Sequence, residues 1–360
     1  MTSNVQNVTN RHGRAALPGS QTLASPPLAY WHHAQNLLLI GGMVLVLTLL
    51  WRPTVGLDIM WNALIPLAPA LIVVAPGLWR NLCPMATFSL VPQRFGISRG
   101  AKLSRRGSAL LAAAGLAALL LIIPLRHLAL NTSGPLTALM LVTSASLAFM
   151  LGVTYEWRSG WCNALCPIHP AERLYGQTPA ISLPNARCDV CHKCTAPCPD
   201  STRSMSPAVT GPSLTEKATG HIMTGGFAGF IWGWYRLPDY RGAVSASEIV
   251  AAYLWPFSGA LITLAIYAVT WHWWCRSVDE RRRLVRLFAT AAVSTYYWYR
   301  IPELTGFGPH PGTGMLLDLR SACPQLPVFS RLLTSSFFVW FMLLRKAPAT
   351  SWLVRPATTG

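Results

Sequence analysis

Stretches of roughly twenty apolar residues recur along this chain, and few folds can accommodate them. Residues 34–51 (AQNLLLIGGMVLVLTLLW), 59–78, 107–128 and 135–156 are each nearly free of charge. A helix of about 20 residues crosses about 30 Å of hydrocarbon, and a backbone in lipid must satisfy its own hydrogen bonds. The composition agrees, since 52% of the 360 residues are hydrophobic and 11% are charged, against about 25% charged in a soluble domain. These features predict an all-α membrane protein, a polytopic bundle of six to eight transmembrane helices whose first partner is the lipid bilayer. They exclude a disordered chain, a disulfide-dense secreted module and a plain cytosolic enzyme. Pro66, Pro69 and Pro76 would break a soluble helix but are tolerated in a membrane helix whose neighbours satisfy the freed carbonyls.

The formal charge is +17, from 29 Lys+Arg against 12 Asp+Glu. Nucleic acid is the usual partner for such an excess, but here the basic residues sit in short loops between apolar segments, so no nucleic-acid partner is expected. That distribution is the positive-inside signature of a multi-pass protein of the inner membrane. The 79–107 loop carries Arg80, Arg94, Arg99, Lys102, Arg105 and Arg106 and no acid, whereas the turn at 129–134 is neutral. The 79–107 loop is therefore expected in the cytoplasm, and parity puts the region after the fourth stretch on the same side.

Farther along, a strong apolar stretch at 248–274 ends on Trp271, Trp273 and Trp274, and weaker ones cover 287–303 and 331–345. Between them lie Arg276, Arg281, Arg282, Arg283 and Arg286, which fall outside unless something crosses between 200 and 247. The segment 222–236 (IMTGGFAGFIWGWYR) would restore parity as a short or re-entrant crossing, and the sequence leaves that open. Arg345, Lys346 and Arg355 favour a cytoplasmic C-terminus. The expected organisation is a flexible tail over 1–33, a four-helix half over 34–156, a cytoplasmic insert and linker over 157–220, and a second transmembrane half over 221–360.

The chemistry is concentrated in the insert. Cys188, Cys191, Cys194 and Cys198, followed by Pro199, form C-x2-C-x2-C-x3-C-P, the spacing with which bacterial ferredoxins hold a 4Fe-4S cube. Three thiolates two residues apart wrap a tight loop around one cube, and the proline turns the chain away. Zinc sites usually pair their cysteines across a longer loop, so zinc is the weaker alternative. These four cysteines are the expected metal ligands, in a small ferredoxin-like 4Fe-4S insert.

A second signal is Trp161-Cys162-Asn163-Ala164-Leu165-Cys166-Pro167, with a shortened echo in Trp79-Arg80-Asn81-Leu82-Cys83-Pro84. Each follows an apolar stretch where it meets the cytoplasm and runs into a basic segment. A lone Cys-Pro reads as a buried thiol at a helix end. Two copies at equivalent points, with a cluster motif close behind, read as further cofactor ligands, Cys83, Cys162 and Cys166.

These motifs resemble the polytopic membrane iron–sulfur proteins of the NapH/NosR type, over roughly residues 60–200. That family carries a pair of C-x3-C-P motifs at cytoplasmic helix ends plus ferredoxin motifs. The resemblance implies electron transfer between the quinone pool or a soluble donor and a membrane or periplasmic redox enzyme, as a quinol-dehydrogenase or electron-transfer subunit. An assembly or maturation factor for a membrane metalloenzyme is the alternative. This chain departs from the pattern in two ways. The first C-x3-C-P copy lacks one cysteine, and there is one ferredoxin motif rather than two.

One cube is thus provided for, and a second would be one ligand short. Cys275 could complete it if the end of the 248–274 stretch faces the cytoplasm, or Cys166 could exchange roles with Cys198, because in two-cluster ferredoxins the fourth cysteine of a run serves the other cube. Cys323 is expected on the far side as a structural thiol. His127 and His272 sit near the ends of apolar stretches, where an imidazole costs little, and His169 and His192 are candidates to tune a cluster through hydrogen bonds.

Overall fold

The computed structural model describes residues 28–155, 160–180, 207–210, 213–310 and 314–346. Cys188, Cys191, Cys194 and Cys198, as well as His192, lie outside the described residues. Among those described the fold is helical throughout, the one extended pairing being an isolated bridge between Ala101 and Tyr155. Six helices are long and apolar enough to cross a membrane. They are α1 (Leu28–Trp51), α2 (Pro53–Val74, π-helical over Asp58–Leu64), α5 (Arg105–Leu130), α6 (Gly134–Thr154), α9 (Ala246–Trp273) and α11 (Leu326–Leu344). The short helices α3 (Pro76–Leu82), α4 (Pro84–Arg94) and α7 (His169–Tyr175) cap the bundle. Two further long helices, α8 (Leu214–Trp234) and α10 (Val278–Leu304), complete it. Large side chains such as Leu37, Val44, Leu254, Leu261 and Ile266 stay exposed on α1 and α9, an apolar surface suited to lipid.

Contacts sort these helices onto two ends. At one end, hereafter the cysteine end, buried Gln35 of α1 donates to the carbonyl of Asn81 (2.9 Å), and Ala180 N–H donates to the carbonyl of Val74 that closes α2 (2.8 Å). Arg345, just past α11, donates to the carbonyls of Thr178 and Pro179. At the opposite end the Arg126 guanidinium lies between the rings of Trp61 and Trp234, 4.2 and 4.8 Å from their centroids. His127 faces Asp239 at 2.6 Å, and Arg300 donates to the Trp61 carbonyl at 2.7 Å.

This framework decides the path of 222–236. The segment is neither short nor re-entrant, but the C-terminal part of a 21-residue helix that starts at Leu214. It lies beside His169 and Arg173 at Thr219 and Gly220, and at Trp234 it donates to the Ile123 carbonyl at the opposite end (2.9 Å). At about 1.5 Å per residue it is about 31 Å long, so α8 runs the depth of the bundle. Helix α10 does the same, from Ser277 at the cysteine end to Arg300 at the other. The boundary expected at 220/221 therefore falls inside a helix, and residues 28–33, expected in the tail, begin α1. Among the described residues eight long helices run the depth of the bundle, and Arg276, Arg281, Arg282, Arg283 and Arg286 share the end of the 79–107 loop.

Neither α8 nor α10 is apolar enough to be read as a span; neighbouring helices bury α8 over most of Met223–Trp234, whereas α10 buries one face and leaves Leu287 and Trp298 exposed. Ser213 with Glu216, Ser245 with Glu248 and Ser277 with Glu280 form capping boxes that satisfy the first turns of α8, α9 and α10. Gly225, Gly229 and Gly233, one turn apart, turn toward α9. A Cβ at Gly229 would run into the Gly259 carbonyl, and one at Gly259 into that of Gly229. This small-residue stripe lets two backbones touch, as membrane helix pairs do where hydrophobicity gives no drive to associate. Gly229→Val should therefore destabilise the protein by about 3 kcal/mol through overpacking. Thermal unfolding in detergent measures it, with Gly42→Val, where a Cβ meets nothing closer than 4.0 Å, expected to leave the midpoint unchanged.

Candidate functional site

The two Leu-Cys-Pro sequences fold alike. Cys83 closes α3 with φ −57° and ψ 120°, and Cys166 closes a helical turn, Trp161–Leu165, with φ −57° and ψ 122°. A residue before proline is pushed out of the helical region, so each helix stops at its cysteine, and the chain re-enters a helix with Pro84 or turns toward α7 with Pro167. In both copies the cysteine N–H donates to a tryptophan carbonyl, Cys83 to Trp79 and Cys166 to Trp161, each at 2.9 Å. The second copy is one residue longer, and its turn is π-helical. The π turn absorbs the inserted residue and keeps the Trp-to-Cys hydrogen bond in register.

Packing brings the two turns together. Helix α4, which starts on Pro84, lies against the end of α6 so closely that a Cβ at Gly152 would strike the Ser89 carbonyl. The Ser89 hydroxyl is 3.8 Å from the Cys162 sulfur. Gly115 of α5 admits the other turn, since a Cβ there would sit 2.8 Å from the Leu165 carbonyl. As a result Cys83, Cys162 and Cys166 are electrostatic neighbours. Desolvation, followed by the two other thiols and then Glu172, pushes the Cys166 thiol well above its ordinary range. A metal binding here must displace a proton from a thiol that holds it firmly.

Beside the thiols lies a buried ion pair. Arg80, next to Trp79 where the second copy has Cys162 next to Trp161, donates from Nε to Glu172 of α7. Only 8% of Arg80 and 7% of Glu172 are exposed. Burial pushes the Glu172 carboxyl up, but the Arg80 guanidinium and the His169 ring outweigh it and hold it at about 2. His169 Nδ1 faces Glu172 at 3.5 Å. Burial, more than the charge of Arg173, lowers its pKa against the raising effect of Glu172. Arg173 is lowered to about 10, again by burial, and stays cationic.

On the other side of α7 a small cavity opens between α5, α7 and α8. Leu116, His169, Arg173, Thr219 and Met223 line it. His169 Nε2 and Arg173 Nε are both buried without a hydrogen-bond partner. The cavity wall thus carries one imidazole nitrogen and one guanidinium donor.

Of the expected ligands, the structure brings Cys83, Cys162 and Cys166 to one place. Cys275 reaches the same end, where it is buried with Tyr267 and Leu284 and has Glu280 and Arg281 as charged neighbours. Cys323 is exposed at the opposite end, before α11. His127 and His272 sit at opposite ends and cannot face one another. Among the described residues no three His, Cys, Asp or Glu side chains are close enough to hold a single metal ion. Glu172 and Arg173 escaped the sequence reading. Glu172 had a signal, being the only acid between Arg158 and Asp189. No family model, curated protein or solved structure matches the chain.

The pair gives a stability test. Glu172, normally near 4.5, is held at about 2, a depression that contributes about 3 kcal/mol. The contribution is complete above pH 4.5 and is lost as pH falls toward 2. Arg80→Ala leaves a buried carboxylate with only His169 beside it and should cost about 3 kcal/mol, moving acid unfolding to higher pH because burial is then opposed by the His169 ring alone. Arg80→Ala with Glu172→Gln should recover part of the loss. Unfolding midpoints in detergent across pH 2–7 measure both.

Proposed function

We propose that this chain is an iron–sulfur electron-transfer protein of the inner membrane, with its cysteine end in the cytoplasm. The observation that carries this reading is the convergence of Cys83, Cys162 and Cys166 from two like-folded Cys-Pro turns. They lie at the end of the bundle where the flanks of the 188–198 run, Ala180 and Pro207, also lie. Three thiols that are electrostatic neighbours, in a chain that also carries a ferredoxin spacing, are of the type that all-sulfur ligation of such clusters uses. When bound, the cluster supplies one-electron acceptance and donation. The chain supplies thiolates, helix ends that fix their positions, and the Arg80–Glu172 pair, a buried charge system beside the sulfurs.

The donor that this reading implies is the quinone pool or a soluble carrier; the cavity beside α7, about 30 Å³, has room for a water and not for a quinone ring. From the cytoplasmic end, electrons would serve a membrane or periplasmic redox partner.

Anaerobically purified protein should contain iron and sulfide, about four irons for one cube and about eight for two, with an EPR signal on reduction. Cys191→Ser should abolish the signal of the ferredoxin-type cluster, and Cys323→Ser should leave every signal intact. Zinc without iron would refute the proposal.

A further inference from the structure

Where α8, α9 and α10 meet at the cysteine end, basic side chains from two helices gather around one indole ring. The His221 ring of α8 meets the Trp271 ring of α9 edge-on, with centroids 4.7 Å apart, and its Nδ1 is 3.2 Å from the Tyr267 hydroxyl oxygen. The Arg281 guanidinium of α10 lies over the same indole, 5.2 Å from its centroid. Lys217, one turn before His221, and Arg281 are the charged neighbours of that imidazole. Arg281 Nε is buried without a hydrogen-bond partner. The acids nearby are engaged elsewhere. Glu216 caps α8 and is a neighbour of Arg173, Glu280 accepts from the N–H groups of Arg276 and Ser277, and Asp279 pairs with Arg282. Among the described residues no carboxylate pairs with Lys217 or Arg281, and Arg276, Arg282 and Arg283 stand exposed close by. The first turns of α8 and α10 are already capped, so what remains unmatched is the charge of the side chains.

This excess of positive charge sits at the rim of an apolar surface. Trp273 and Trp274, just past Trp271, are 68% and 73% exposed, and Leu261, Ile266 and Val269 are exposed along α9 before them. Indole rings at the end of a membrane helix mark the level at which headgroups meet acyl chains. A free anion would use the cations alone, whereas a lipid uses both the cations and the apolar face that leads to them. We propose that Lys217, His221 and Arg281 hold the phosphodiester of an anionic phospholipid whose acyl chains lie along the exposed face of α9. Basic pockets between membrane helices bind headgroups in this way. Lys217 and Arg281 supply the charge, and Trp271 holds the guanidinium in place by a cation–π contact. None of the cysteines takes part, so the site is independent of the chain's redox chemistry.

The test titrates full-length protein, freed of lipid in a neutral detergent, with dioleoyl phosphatidylglycerol or dioleoyl phosphatidylcholine and counts bound lipid by native mass spectrometry. The first phosphatidylglycerol should bind more tightly than the first phosphatidylcholine, and salt should shrink the difference. A basic residue near the membrane surface contributes about a fivefold change in binding. Lys217→Ala and Arg281→Ala should each weaken phosphatidylglycerol by about that factor and leave phosphatidylcholine unchanged, while Arg281→Lys keeps most of the affinity. Arg241→Ala, exposed at the opposite end, should change neither lipid. Equal affinity of the wild-type protein for the two lipids would overturn the proposal, and that comparison needs no variant. A preference that survives in the folded Lys217→Ala, Arg281→Ala double variant would place the headgroup elsewhere and overturn it too. Glycerol 3-phosphate at the lipid's concentration should not displace it. Displacement would mean a site for a free phosphate, and no lipid site.

Discussion

A helix that reaches Leu-Cys-Pro has to stop, and both halves of this bundle's first unit stop there at the same end. The proline forbids the helical region to the cysteine before it, while the cysteine N–H keeps one last bond to a tryptophan carbonyl. These opposing demands fix the sulfur-bearing residue in one conformation, found twice within a few degrees. The rest of the cysteine end is arranged around that repetition. Gly115 admits one turn, Gly152 seats the helix that follows the other, and Arg80 ties the first turn to α7. Removing either proline would free a helix end and loosen the set of thiols.

The bundle reconciles two chemical environments. Helices facing lipid, such as α1 and α9, are apolar around most of their circumference, whereas α8 and α10 carry glycines, hydroxyls and charges. Protein covers most of α8 and one face of α10, which shelters these residues. Glycine allows α8 to lie against α9 at backbone distance, so that van der Waals contact replaces a hydrophobic drive absent in lipid. At the opposite end the charges of α10 and α5 are not left bare either, since Arg300 reaches carbonyl and amide oxygens near Trp61 and Arg126 is enclosed by two indole rings.

Hydropathy made most of this fold legible. The stretches at 34–51, 107–128, 135–156 and 248–274 correspond to α1, α5, α6 and α9, and the weaker ones to parts of α10 and α11, because lipid-facing helices must be uniformly apolar. Helix α8 was legible only through the charge conflict at Arg276–Arg286, since a helix sheltered by protein need not look like a span. The likeness of the two Cys-Pro turns could be read from the residues, but the role of the π turn could not. One extra residue in a sequence says nothing of how a helix will absorb it. The Arg80–Glu172 pair joins residues 92 apart in the chain, and nothing local announces it. The side of Cys275 follows from parity, while its packing against Tyr267 and Leu284 depends on tertiary contacts that no local pattern announces.

The direct test of the central idea is the mutual proximity of the thiols themselves. Full-length, metal-free protein would be treated with a short bis-maleimide, digested and mapped by mass spectrometry. The geometry described above yields Cys83 joined to Cys162 or Cys166, with Cys275 modified at one end only. Linkage of Cys275 into that set, or no linkage between Cys83 and the second turn, would contradict it.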